Sequence, residues 1–159
     1  MEVTIDYLAD HPGTIRVLAQ WLFDEWGHQS PDGTDQGIAD DLHERCNRDQ
    51  FPMAFVAIQH PTPVGTASLK IREVDIRPEY EHWLGAVYVQ ERHRGKGIGS
   101  LLIGAATAEA AKFGIDELYL YTRRIETERL YESLGWKPIE RPHYRGSPAA
   151  IMKINPTDH

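Results

Sequence analysis

Residues 87–102 read VYVQERHRGKGIGSLL, and they decide the fold. Gly95, Gly97 and Gly99 alternate with other residues directly after a strand-like run and directly before a helix-like one, closer together than turn punctuation needs. Arg94 and Lys96 are interleaved with them, although the chain as a whole carries a formal net charge of −7. A loop of this composition is suited to an anion.

Working outward from this loop, Trp83 to Val89 reads as a strand. On its other side Ile98, Leu101, Leu102, Ala105 and Ala108 mark the expected buried face of an Ala-rich helix ending near Gly114. Glu117 to Thr122 alternates as a further strand, so strand, helix and strand form a crossover long enough to be parallel and right-handed. Upstream, Val3 and Ile5 belong to a first strand stopped by His11-Pro12-Gly13. Ile15, Leu18, Leu22 and Trp26 then form a helical stripe closed by Gly27, and Asp32 to Asn47 reads as a more polar second helix. FPMAFVAIQ and TASLKIREV are two strands joined by the Pro-rich turn HPTPVG, most simply an antiparallel pair. Thus Trp83–Val89 is the fourth strand and Glu117–Thr122 the fifth. Glu126 to Leu134 is a short helix ended by Gly135, and Trp136–Glu140 and Ala149–Asn155 are closing strands. The class is mixed α/β, with one central sheet flanked by helices.

The 159 residues suit one domain, 1–159, and 41% hydrophobic with 26% charged residues is ordinary for a globular chain. The N-terminus lacks a signal-peptide pattern, the longest apolar run is only Ala54 to Ile58, and Cys46 stands alone. A cytoplasmic protein with neither membrane nor nucleic-acid partners is expected, since the acidic balance would repel a polyanion and attract a cation.

A helix N-terminus offers unpaired N–H groups and the positive end of the helix dipole, and glycine lets that backbone approach a guest closely. Phosphate fits such a loop. The Walker pattern is excluded because Gly95-Lys96-Gly97 lacks its Gly-Lys-Ser/Thr element. A dinucleotide fingerprint is excluded because position 100 is Ser100 and the strand arrives fourth. A glycine-rich turn that merely packs a helix on a sheet is the plain alternative.

Arg94-Gly95-Lys96-Gly97-Ile98-Gly99 resembles the Arg/Gln-x-x-Gly-x-Gly/Ala loop of the GCN5-related N-acetyltransferase (GNAT) family. The preceding VYV, the downstream LYLYT and the element LYESLGW extend the resemblance over residues 84–137. It implies one mostly antiparallel, twisted sheet of six to seven strands, with a splayed parallel pair formed by the fourth and fifth, flanked by about four helices. It implies acetyl-CoA as co-substrate and no metal. The loop Arg94, Gly95, Lys96, Gly97, Ile98, Gly99 and Ser100 would hold the coenzyme A pyrophosphate, and the backbone of Val87, Tyr88 and Val89 would pair with the pantetheine arm. For the arm to fit, a bulge near Val87 must open the parallel pair, freeing N–H groups for the thioester oxygen.

Direct acetyl transfer to an amine requires a neutral nucleophile, stabilisation of the oxyanion and help for the departing thiolate. Tyr131 occupies the tyrosine position of the family's Tyr-x-x-x-Gly-Phe/Trp element and would donate to the leaving sulfur; the alternative is a tyrosine packed on its helix with Thr127 and Leu134. With reference pKa values of about 10 for Tyr and 8.5 for a thiol, full transfer is uphill by ~2 kcal/mol, so hydrogen-bond donation with transient transfer is the more economical role. Cys46 lies in a polar helix with no catalytic pattern around it and is not expected to act as a nucleophile. The base is open among Glu81, His82 and water, because the family positions for Glu or His on the fourth strand hold Trp83 and Gly85. The segment before Tyr131 also departs from the family, with Arg124 and Thr127 where Asn and Ala are common; Arg124 is a candidate for a cofactor phosphate instead, and Arg123 and Arg124 read equally as a solvated pair at the end of the fifth strand.

The resemblance places the acceptor site among the N-terminal helices and the connection into the fourth strand. Those segments supply Trp21, Trp26, Asp32, Asp35, Glu79, Glu81 and Trp83, which suit an amine-bearing small molecule or a peptide N-terminus; for any single one the plain alternative, a core tryptophan or a surface acid, is the stronger reading. A non-catalytic acyl-CoA sensor and an acyltransferase for longer chains stay open, as does a homodimer.

Overall fold

The protein is described by a computed structural model covering residues 2–27 and 34–158. The strands are β1 (Thr4–Tyr7), β2 (Met53–Gln59), β3 (Thr62–Ile71), β4 (His82–Val89), β5 (Leu118–Thr122), β6 (Lys137–Glu140), β7 (His143–Tyr144), β8 (Ser147–Pro148) and β9 (Ala150–Ile154). The helices are α1 (Ile15–Trp26), α2 (Asp35–Glu44), α3 (Ile98–Lys112) and α4 (Ile125–Ser133). Seven strands form one sheet in the order β1-β2-β3-β4-β5-β9-β6. The pairs β1/β2, β2/β3, β5/β9 and β6/β9 are antiparallel, while β4/β5 is parallel, as a strand–helix–strand crossover requires. Among the described residues no helix is long and apolar enough to cross a membrane.

Contacts divide the chain into two compact units, one ending at Leu69 and resuming over Ala86–Ala106, the other comprising Lys70–Gly85 and the chain from Thr107. In the first unit, Ile15, Leu18, Ala19 and Leu22 of α1 pack with Leu42 of α2 and with Ala54, Val56 and Ile58 of β2. Trp26, expected in the stripe of α1, is 37% exposed. Helix α2 is capped by Thr34, whose Oγ1 accepts from the Gly37 N–H at 3.0 Å. The expected start at Asp32 lies outside the described residues.

Strand β3 begins at Thr62 instead of Thr66, because Gln59 pairs with Thr62 across the two-residue turn His60-Pro61. Pro63 is thereby accommodated at the strand's start. Gly65 is needed for close approach: a Cβ there would lie 2.9 Å from the Tyr88 carbonyl oxygen and 3.0 Å from Leu102 Cδ1. The buried side of α3 is Ile98, Leu102, Ile103, Ala106 and Ala110, whereas Leu101 is 50% exposed. Ala, Leu and Ile occur on every side of this helix, so the letters alone did not select its buried stripe.

In the second unit Trp83 is fully buried among Val74, Tyr119, Tyr144 and Ile151, and its indole Nε1 donates to the Tyr80 carbonyl at 2.7 Å. The Tyr80 ring stacks on Tyr119 with centroids 4.1 Å apart. Arg77 Nε donates to Glu140 Oε1 at 2.7 Å, and the Tyr80 hydroxyl donates to Glu140 Oε2. The β3–β4 connection is thus tied to β6. The β7–β8 hairpin was not anticipated; its turn is Arg145-Gly146, both at positive φ (50° and 88°), as a tight hairpin turn requires.

Two outcomes follow from these contacts. Gly65→Ala should lower the unfolding free energy by about 1–3 kcal/mol in urea titrations, because the new methyl must displace β4 backbone; an unchanged midpoint would mean that Tyr88 can retreat freely. Hydrogen bonds from Arg77 and Tyr80 hold the Glu140 carboxyl below its ordinary value, so this network stabilises the fold fully above that value and less as pH falls through the lowered one. Stability measured between about pH 5 and pH 2 should therefore fall less steeply for Glu140→Gln than for the parent protein; identical slopes would remove Glu140 from the acid response.

Candidate active site

Strand β4 leaves its parallel neighbour early. His82 pairs with Leu118 and Trp83 with Tyr119, but Leu84 and Gly85 have no β5 partner in that ladder. The other edge of β5 pairs along its whole length with β9, from Leu118↔Ile154 to Thr122↔Ala150. Two residues beyond Leu84, Ala86 adopts φ +51, a left-handed conformation that costs a non-glycine residue roughly 1–2 kcal/mol. This is a bulge-type interruption beside Val87, where the sequence placed one. Backbone groups of β4 past Trp83 are consequently left for a partner other than β5.

The Tyr88 ring fixes the following stretch. Trp21 of α1 stacks on it at 5.8 Å, Trp26 meets it edge-on at 6.1 Å, and the Arg94 guanidinium lies 5.2 Å from its centroid. The two tryptophans expected to receive an acceptor therefore already pack on the strand. Arg94 is also engaged: its Nε donates to the Val89 carbonyl at 2.8 Å, and Glu25 lies 4.0 Å away. The Nε edge is thus committed to the protein, while the outer nitrogens of this half-exposed side chain stay available.

Gly95 and Gly97 take φ +77 and +82, and space is open where their Cβ atoms would stand. Side chains there would strain the backbone and fill the approach to the opening turn of α3. Lys96 between them is exposed, a Cβ added to Gly99 would meet Val89 Cγ2 at 3.8 Å, and the Leu101 N–H closes on the Gly97 carbonyl at 3.1 Å. An uncluttered, glycine-lined helix N-terminus beside a lysine has the form of a diphosphate cradle, so these residues fit the anionic end of coenzyme A.

In the second unit, Tyr131 of α4 is 6% exposed and packs edge-on against Trp136 at 5.7 Å. Its hydroxyl has no hydrogen-bond partner among the described residues, and burial pushes its pKa well above the ordinary value. Full proton transfer to a thiolate is therefore further uphill than reference values suggest, which leaves hydrogen-bond donation. One turn earlier, Glu128 is buried and paired with Arg141 at 2.5 Å.

Glu81 is half-exposed and stands 3.8 Å from Arg72; His82 is held in the β4–β5 ladder; Glu79 is exposed; Trp83 is core. Arg123 and Arg124 are both exposed; Arg123 also donates to Ser147 Oγ at 2.8 Å and to the Tyr144 carbonyl at 2.6 Å, and Arg124 lies beside Glu126. Burial pushes the Cys46 thiol up, away from the thiolate a nucleophile needs, and its Sγ faces the Leu42 carbonyl. The sequence did not anticipate that Lys70 and Glu73 close an ion pair at 2.8 Å directly over Gly85. Their i,i+3 spacing reads as an ordinary surface pair, and only the missing Gly85 side chain hinted that the space was wanted.

The profile of the acetyltransferase (GNAT) family matches residues 15–136. An uncharacterized N-acetyltransferase of Bacillus subtilis (strain 168), YobR, is 34% identical over 64 residues; the match covers 39% of this chain and spans only about a quarter, 26%, of that curated relative. Among solved structures, an aminoglycoside 6'-N-acetyltransferase complexed with coenzyme A superposes with a TM-score of 0.77 at 19% identity, covering 98% of this chain and 97% of that one. Salmonella typhimurium yncA, solved with its cofactor acetyl-CoA, gives 0.76 at 16% identity over 99% and 95% of the two chains. The profile match takes in the interrupted strand, the glycine loop and the Tyr131 helix together, and the chain belongs to the acetyltransferase (GNAT) family.

Proposed function

We propose that this protein is an N-acetyltransferase that moves the acetyl group of acetyl-CoA to a primary amine by direct attack in a ternary complex. The observation that carries this reading is the course of β4: its β5 ladder stops after Trp83, Ala86 turns the backbone, and the freed segment leads through one 3-10 turn, Glu91–His93, to the open glycine loop at the start of α3. In this reading Val87, Tyr88 and Val89 hold the amide-bearing arm in the manner of an added strand, and Arg94 to Ser100 hold the diphosphate. Bound coenzyme A supplies an activated acetyl thioester. A freed N–H of β4 steadies the thioester oxygen, and the buried Tyr131 hydroxyl donates a hydrogen bond to the leaving sulfur. Aminoglycosides, the substrates named for one structural relative, are amines. A small amine or a peptide N-terminus suits the acidic balance of this chain. Glu81 offers an exposed carboxylate just before β4, able to act directly or through water. The whole chain would act as one catalytic domain in the cytoplasm, with Cys46 taking no part.

Incubation with acetyl-CoA and a panel of amines should release free thiol with one amine class and not without it; no amine-dependent release from any member would overturn the reading. Tyr131→Phe should lower turnover by about 10- to 100-fold with coenzyme A affinity nearly unchanged. A fully active Tyr131→Phe enzyme would remove the tyrosine from the chemistry.

A further inference from the structure

Gly85 has no side chain, yet the space above it is filled. A Cβ at this position would lie 3.3 Å from Lys70 Cε and Nζ and 3.4 Å from Glu73 Oε1. Glu73 thus reaches from the β3–β4 connection to a place on β4 that a strand-borne side chain would otherwise occupy, one residue before the turned backbone of Ala86. Lys70 Nζ holds Oε1 at 2.8 Å, while Oε2 has no partner among the described residues. The side chain is partly sheltered, 22% exposed, compared with 50% for Glu81.

Resting on the acetyltransferase reading, we propose that Glu73 is the carboxylate that receives the acceptor's ammonium and takes its proton, doing from a neighbouring segment what Gly85 cannot do from the strand. Lys70 positions it through the 2.8 Å contact with Oε1. The proton leaves the ammonium nitrogen for Glu73 Oε2, and the freed lone pair forms the C–N bond to the thioester carbonyl carbon. The C–S bond breaks with its electrons on sulfur, which Tyr131 steadies by hydrogen bonding. The sulfur takes up one proton from water, the new amide nitrogen gives up its second, and Glu73 returns its own to solvent, so charge and protons balance. The other groups facing this carboxylate are Tyr121 from β5 and Tyr144 from β7, both with hydroxyl pKa values raised chiefly by burial. Asp75, Arg123 and Arg145 act on those tyrosines, so Glu73 is the carboxylate placed over β4 while Lys70 is the cation in direct contact with it.

The decisive readout is the pH dependence of kcat/KM with the best amine from the panel, below that amine's own pKa. With Glu73 taking the ammonium and its proton, kcat/KM should be flat from above the carboxylate range up to the amine pKa. In Glu73→Gln only the neutral amine can react, so kcat/KM should be about 100-fold lower near neutral pH and rise about tenfold per pH unit. Amine affinity measured by calorimetry on the coenzyme A complex should weaken, coenzyme A affinity should not change, and Glu73→Asp should restore part of the plateau. A Glu73→Gln enzyme with the parent plateau and rate would overturn the assignment while leaving the transferase reading intact. Absence of amine-dependent thiol release from the parent protein would overturn both. Should Glu73→Gln fail to fold, Gly85→Ala crowds Lys70 Cε and Nζ, which must give by a few tenths of an ångström and disturb the ion pair that positions the carboxylate. It should lower kcat severalfold with coenzyme A binding preserved, and an unchanged kcat would equally refute the role of Glu73.

Discussion

The structure depends on one interruption of hydrogen bonding. A parallel strand pair is most stable when its ladder is complete, yet β4 and β5 pair at His82 and Trp83 and then stop, with Ala86 held at a φ that an L-residue resists. Such a conformation persists only where the surroundings over-determine it. Here Trp83 is buried and hydrogen-bonded on the near side of Ala86, while Tyr88 is clasped by Trp21, Trp26 and Arg94 on the far side. The interruption leaves peptide groups without strand partners, and peptide groups without partners are what an amide-bearing ligand can use.

The glycine loop follows from the same strand. Arg94 returns a hydrogen bond to the Val89 carbonyl, closing the end of β4 and committing part of its charge to the protein, while Gly95 and Gly97 keep the approach to α3 clear. In the proposed reading attraction and access are divided between different residues: the flanking cations would attract the anion, and the bare backbone and helix dipole would hold it. In the second unit, burial keeps the Tyr131 hydroxyl protonated and no described residue bonds it, which suits the hydrogen-bond donor proposed above and not an acid of ordinary strength.

Much of this was legible in the letters because local rules and tertiary context agree around residues 83–122. Strand, glycines, helix and strand each have their own period, and the crossover rule fixes the parallel pairing. Elsewhere the context decided. The stripe of α3 was misread because an Ala-rich helix is apolar all round, so Leu101 was expected inside and Ala106 and Ala110 were passed over. The β7–β8 hairpin is too short to show alternation, and its turn depends on Arg145 accepting a positive φ that its identity does not advertise. Residue type left Trp21 and Trp26 between an acceptor and the core, because a half-buried indole packs on a neighbouring ring, here Tyr88, as readily as on a ligand. Glu73 was invisible for a different reason: its relation to Gly85 is a through-space substitution, a side chain from one segment filling the vacancy left in another.

The central claim is that the freed edge of β4 and the loop at the start of α3 form a single binding surface for coenzyme A. Titrating nitrogen-15-labelled protein with coenzyme A and following backbone amide shifts tests it most directly. The largest changes are expected at Val87 to Val89 and Gly95 to Ser100; saturating coenzyme A that leaves these amides unmoved, or moves a different region most, would contradict it.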